Sequence, residues 1–250
     1  MTLVAERVTM AFGGLVALDG VTLAVPPASI TGLIGPNGAG KTTLFNCLTG
    51  LYAPTSGRVL LDGRPLAADP ALAMRGGVAR TFQNIRLFAG MTALDNVLVG
   101  RHTRIRQGLL TALLRGPGLR ASETAAAERA RAELAFVGLD PEGRARAGEL
   151  AYGDQRRLEI ARALAGNPMV LMLDEPTAGM NATETAAVAG LIRAVRDRGI
   201  GVVVIEHDTK FVFSLCDHVH VLARGRTLAA GPPADVRADP RVIEAYLGTG

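Results

Sequence analysis

Apolar residues follow two rhythms along this chain. From Thr2 to Leu23 they alternate loosely with polar ones, as in short strands joined by a turn at Phe12-Gly13-Gly14. "ASITGLIG" is a compact apolar run that stops at Gly35, and "KTTLFNCLTG" then reads as a helix closed by Gly50. "GRVLLDGRPL" has the pattern of a strand entering an Asp62-Gly63 turn. Three later runs, "MVLML", "IGVVVIE" and "HVHVLARG", suit buried strands, and the last turns back through Arg224-Gly225. In "LAYGDQRRLEIARAL", residues 150–164, Leu158, Ile160, Ala161 and Leu164 recur at helical spacing behind a turn that holds Gly153.

Residues 86–149 have a different texture. "MTALDNVLVG" and "ASETAAAERARAELAFVGLD" are helix-prone, with the looser "LLRGPGLR" between them. Arg and Glu at three- and four-residue offsets suit solvated helix faces. Strands alternating with helices predict an α/β fold with a mainly parallel sheet and a helical insertion in its middle.

Composition narrows this picture only a little. A chain of 250 residues, 48% hydrophobic and 20% charged, can bury one large globular core. A net charge of +4 permits contact with polyanions without demanding it. Cys47 and Cys216 have no CxxC partner and no metal-like spacing to the histidines, so buried free thiols in a reducing compartment are expected. The opening "MTLVAERVTM" lacks a basic segment followed by an apolar one, and no run approaches the roughly 18 apolar residues of a membrane span. A cytoplasmic protein is the expectation.

Candidate chemistry begins with Gly35-Pro36-Asn37-Gly38-Ala39-Gly40-Lys41-Thr42, which satisfies G-x-x-x-x-G-K-[ST] between a predicted strand and a predicted helix. Its glycines let backbone N–H groups converge on phosphate oxygens. Lys41 can reach the outer phosphates and the Thr42 hydroxyl can bind Mg²⁺. Val170 to Leu173 then form a strand that delivers Asp174 and Glu175 to its C-terminal end, where α/β proteins bind ligands. Asp174 suits the metal's surroundings and Glu175 suits a base that polarises water. "VVVIEHD" repeats the arrangement with His207, which by its chemistry alone fits a γ-phosphate contact or a structural role equally well. His102, His218 and His220 are read as structural. A helix that starts near Gly153 offers unpaired N–H groups to a second anion, which is puzzling in a chain with a better cradle elsewhere.

Together these stretches resemble the ATP-binding subunits of ABC transporters over nearly the whole chain. "RTFQN" resembles that family's Q-loop with Gln83 as its glutamine, "LAYGDQ" stands at the signature, "AGMN" at the D-loop and His207 at the switch histidine. The resemblance implies one nucleotide-binding domain over 1–250, a P-loop NTPase core of mainly parallel sheet. It adds an N-terminal antiparallel β-subdomain and a helical signature subdomain inserted at about 86–166. It also implies ATP bound by residues 35–42 together with Thr43, Mg²⁺ held by Thr42, Gln83 and Asp174, and hydrolysis by Glu175 and His207. Phe12 is the aromatic for adenine by the same resemblance; core packing is its other reading.

In that family the ATP is sandwiched between two such domains, so the helix near Gly153 would act on a partner's nucleotide. That resolves the puzzle of two anion sites in one chain. Ala151, Tyr152, Gly153, Asp154 and Gln155 would form this signature, which departs from the general Leu-Ser-Gly-Gly-Gln. "AYG" and Asn181 resemble the subgroup serving branched-chain amino acid importers, as do "RTFQNIRLFAGMTALDNVLVG" and "VIEAYLG". Relatives that handle urea or short amides are not separated from it. The implied partners are a second ATP-binding subunit, a paralogue rather than a copy, two transmembrane permeases and an external solute-binding protein, with no nucleic acid. The chain would sit on the inner face of the membrane, with an exposed apolar subset of Ile85, Leu87, Phe88, Met91 and Leu94 toward a permease. A soluble ABC protein acting on ribosomes or DNA is the reading from another class; the single copy of each motif and the lack of heptads weigh against it.

Overall fold

The computed structural model describes residues 2–102 and 117–247. The first half of "LLRGPGLR", residues 113–116, lies outside the described residues, as do Gly248 of "VIEAYLG" and the side chain of His102, while Pro117 to Arg120 of that stretch are already helical and not a loose connection. The chain divides into two compact units, residues 1–83 with 169–250, and residues 84–168.

The first unit holds two sheets. Strands β1 (Leu3–Phe12) and β2 (Leu15–Val25) form a hairpin through Gly13-Gly14, and β4 (Ser56–Leu61) pairs with β1 and with the short β5 (Arg64–Pro65). This sheet is antiparallel in the order β2-β1-β4-β5. Its alternation is plain in β2, where Leu18, Val21, Leu23 and Val25 are buried between exposed neighbours.

The second sheet runs β10-β9-β3-β8-β7-β6. Its strands are β3 (Ile30–Ile34), β6 (Val78–Arg80), β7 (Val170–Asp174), β8 (Gly201–Ile205), β9 (His218–Ala223) and β10 (Arg226–Gly231). All neighbours are parallel except the β9–β10 hairpin. Every residue of β3 and β8 is buried, which is why these runs are continuously apolar rather than alternating. Helices α1 (Lys41–Leu48), α2 (Pro70–Gly76), α6 (Ala182–Asp197), α7 (Thr209–Leu215), α8 (Pro233–Ala238) and α9 (Pro240–Leu247) complete the unit. Parallel order matters for function because β3, β7 and β8 all end on one edge of the sheet.

Sequence patterning did not reveal α2, β6 or α6 to α9. Helix α6 has a clear start, since the Asn181 side chain accepts from Glu184 N–H while the Glu184 side chain accepts from Asn181 N–H. Asn181 therefore caps a helix, in the place where the sequence suggested only a D-loop.

The second unit contains α3 (Ala93–His102), α4 (Pro117–Phe136) and α5 (Tyr152–Ala165), with a short 3₁₀ turn at Ala147–Glu149. The three helices pack on one another around Val97, Ala130, Leu134, Leu158, Ala161 and Leu164, all buried. Its core also buries ions. Arg156 and Glu159 pair at 3.2 Å with almost no solvent contact, and Glu159 accepts a further bond from the Arg86 backbone N–H at 3.2 Å.

Candidate nucleotide-hydrolysing site

Helix α1 begins where β3 has just ended, and the loop between them is built for an anion. Its N-cap is Gly40, which supplies no side-chain cap, and the first turn carries no acid. The leading N–H groups of the helix are therefore open to a phosphate. Gly40 adopts φ +101, and a Cβ there would lie 2.7 Å from the Ala17 carbonyl, so only glycine fits. Lys41 is buried, and its Nζ donates to the carbonyls of Gly35 (2.6 Å) and Pro36 (3.1 Å). Burial pulls its pKa down, while the nearby Glu175 carboxylate pulls it up.

Glu175 follows β7 directly, with φ +47, a left-handed conformation costly for a residue with a Cβ. Its N–H donates to Ile205 O at 2.9 Å, which ties the turn to the end of β8. One carboxylate oxygen accepts from Gln83 Nε2 at 2.8 Å and the other faces His207 Nε2 at 2.8 Å. Asp174, one residue earlier, lies 3.8 Å from the Arg80 guanidinium.

These groups line one cleft of about 650 Å³. Phe12, residues 37–43, Gln83, Asp174, Glu175 and His207 are all on its wall, together with Leu15, Val16, Ala17 and the Arg224-Gly225 turn. Phe12 is 44% exposed and meets Tyr52 edge-on, with ring centroids 5.5 Å apart. Phe12 is thus not a core residue, and part of its ring stays open on the wall of the cleft. Gly35 and Pro36 are not on that wall; they line a second cavity with Asn37, His207 and Tyr246.

Residues 151–155 belong to the other unit. Ala151 is the N-cap of α5, with no side-chain cap, and Tyr152 is its first residue, 45% exposed. Arg156 Nη2 donates to the Tyr152 hydroxyl at 3.2 Å, and Arg157 pairs with Asp154. Gln155 Nε2 donates to Leu150 O at 2.8 Å. Gly153 lies inside the first turn of the helix, one residue later than its mouth.

Two further residues shape the site without having stood out in the sequence. Arg80 is held between the rings of Phe45 and Phe82, at 4.8 and 4.6 Å, and its Nη1 donates to Asn46 Oδ1 at 3.1 Å. Glu206 is buried and accepts from Thr177 N–H (3.0 Å), Thr177 Oγ1 (2.6 Å) and His207 N–H (3.2 Å). It thereby fixes the loop after Glu175 against the backbone of His207. The only cue was an acid placed just after an apolar strand, since its partner is 29 residues away.

A glycine-rich phosphate loop, an acid pair ending one core strand and a histidine after the next define a P-loop ATPase. Residues 18–178 match the family model described as ABC transporter. The chain belongs to the ATP-binding cassettes of ABC transporters, and it is an ATPase of that family. Residues 226–250 also match the model described as branched-chain amino acid ATP-binding cassette transporter. The chain is 49% identical over 242 residues to the high-affinity branched-chain amino acid transport ATP-binding protein BraF of Pseudomonas aeruginosa, covering 96% of this chain and 95% of that protein. It is 47% identical over 241 residues to LivG of Escherichia coli, a protein of the same description, covering 96% and 94%. The crystal structure of the ADP conformation of MJ1267, an ATP-binding cassette of an ABC transporter, matches with a TM-score of 0.86 and 33% identity over 99% of both chains. The dimeric structure of MJ0796, a bacterial ABC transporter cassette, matches with a TM-score of 0.74 and 25% identity, covering 92% of this chain and 98% of that one.

Proposed function

We propose that this chain is the ATP-hydrolysing subunit of an importer for branched-chain amino acids. The observation that carries the catalytic part is Glu175, whose two oxygens are held by Gln83 and His207 in the same cleft as Lys41. The cargo part rests on the identity of about half the residues with BraF and LivG.

In this reading residues 1–250 are one nucleotide-binding domain with a signature subdomain inserted at about 86–166, which the compact unit 84–168 supports. Residues 35–43 hold the phosphates of ATP through backbone N–H groups and Lys41, while Phe12 stacks on the base. Mg²⁺ fits the donor set here, because Thr42, Gln83 and Asp174 offer only hydroxyl, amide and carboxylate oxygens. When bound, it would neutralise charge on the outer phosphates. Glu175 accepts the proton of the attacking water. A carboxylate accepts and cannot donate, so His207 Nε2 carries the proton in their contact and orients Glu175.

Residues 151–155 act on the ATP of a second subunit, a paralogue of this chain; that cassettes pair is supported by the dimeric structure of MJ0796. Two permeases, an external solute-binding protein and no nucleic acid complete the assembly. Phe88, 51% exposed beside half-buried Ile85 and Leu87, offers an apolar contact to a permease. Among the described residues no helix is long and apolar enough to cross a membrane, so a peripheral place on the inner face depends on those permeases.

Affinity purification of the chain from its native membrane fraction tests this. Two multi-span proteins, a second ATP-binding chain and hydrolysis stimulated by leucine, isoleucine or valine are the expected result. Recovery with ribosomes or DNA and no membrane protein would overturn the transport reading.

A further inference from the structure

The turn that carries Glu175 is strained, so its neighbours have to hold it. A residue with a Cβ keeps a φ of +47 only where the surrounding structure over-determines it. On one side the hold is backbone, from the Glu175 N–H to Ile205 O at 2.9 Å. On the other side it is a side chain. Glu206 Oε1 accepts from both the N–H and the hydroxyl of Thr177, two residues past Glu175, at 3.0 and 2.6 Å.

The same carboxylate also grips the partner of Glu175. Its Oε2 accepts from the His207 N–H at 3.2 Å. Glu206 thus spans the two loops that meet in the contact between Glu175 and His207, 2.8 Å long. It is 5% exposed and, unlike Ile205 and His207 on either side of it, does not line the cleft. Its influence on the reaction therefore passes through those neighbours. None of the three groups it accepts from belongs to the phosphate loop, so its effect falls on aligning base and histidine and not on holding phosphates.

We infer that Glu206 is a positioning residue for hydrolysis, keeping the Glu175 turn and the His207 loop in the register that brings base and histidine together. This rests on the ATPase reading above. A carboxylate suits the task because both its oxygens accept. An amide has one acceptor, and its NH₂ end would face a donor whichever way it turned.

The test is ATP titration and steady-state hydrolysis with the full chain in its purified membrane complex. Glu206→Gln and Thr177→Val are each made in the wild-type and in the His207→Ala background. Thr177→Val keeps the shape of the side chain and removes only the hydroxyl donor. Glu206→Gln should lower kcat by about 10- to 100-fold, the effect of a misplaced catalytic group. Thr177→Val should lower it by about three- to tenfold, the value of one hydrogen bond. Both should bind ATP within about twofold of wild type. In the His207→Ala background each should cost less than about threefold, because residues that act as a unit do not lose independently. Wild-type kcat in Glu206→Gln would overturn the inference. So would the full loss persisting without His207, or an equal fall in ATP affinity, since either makes the effect merely structural. Should Glu206→Gln not fold, Thr177→Val in the two backgrounds decides by the same criteria. Wild type that fails to bind ATP would instead overturn the ATPase reading.

Discussion

Nε2 of His207 and Oε1 of Glu175 are 2.8 Å apart, although the two residues sit at the ends of different strands. The contact exists because β7 and β8 are parallel neighbours in register, with Asp174 opposite Ile205. Gln83 reaches the other oxygen of the same carboxylate from the segment after β6, the next strand along. Three adjacent strands thus aim one base. His207→Ala should lower kcat by about 100-fold, as expected for loss of one oriented polar group at a reacting centre. Because Gln83 and His207 act through one carboxylate, the loss in the double variant should be smaller than the product of the single losses. Steady-state hydrolysis with saturating ATP measures both.

Lys41 should matter for binding before it matters for rate. It is a buried cation whose present partners are two carbonyls, and phosphate is a better one. Lys41→Ala should weaken ATP affinity by about 10- to 100-fold, the value of hydrogen bonds to charged groups. Equilibrium titration with a fluorescent ATP analogue gives the number; unchanged affinity would remove Lys41 from the cradle.

The Arg156–Glu159 pair makes a prediction about stability. Burial pushes the Glu159 carboxyl up, against the pull of Arg156 and Arg162. Arg156→Met would leave that acid without its nearest cation and should destabilise the chain by about 3 kcal/mol. Arg156→Met with Glu159→Leu should recover only part of the loss, since the buried acid goes but Arg162 and the Arg86 N–H lose their acceptor with it. Urea unfolding of the two variants distinguishes these outcomes.

His220 predicts a pH dependence. It is buried, bonded to Thr227 Oγ1 at 2.9 Å, and its pKa is lowered to about 4 by burial, from an ordinary 6.5. Between these values the unfolded chain binds the proton and the folded chain does not, so stability falls as pH drops from about 6.5 to 4. The total is roughly 3 kcal/mol, and below the folded pKa the loss levels off. His220→Gln should flatten this window in denaturant titrations run at several pH values.

The phosphate loop and the core strands were legible because each is local: glycines, a lysine and four or five apolar residues in a row. Phe12 and Gln83 acquired roles only through resemblance, since nothing in their immediate neighbours marks them; the helix near Gly153 was legible as an anion site, and only its action on a partner's nucleotide came from resemblance. Strand β6 has only three residues, too few for any period to show. Arg80 and Glu206 were missed for a related reason. Their partners, Phe45 with Asp174 and Thr177, are brought close by the fold and not by the sequence. The capping box of α6 follows a simple local rule, with Asn181 and Glu184 three residues apart, and Asn181 stands at once at the D-loop position and at the helix start.

The most direct measurement is ATP turnover by Glu175→Gln in the purified membrane complex, with bound nucleotide identified after incubation. The amide keeps the size and one of the two acceptor contacts, loses the other because its NH₂ end is a donor, and cannot take the proton of water. The expected result is a rate at least about 100-fold below wild type, with ATP still bound and intact. A rate close to wild type, with ADP accumulating, would contradict the assignment of Glu175 as the base on which the hydrolytic site is built.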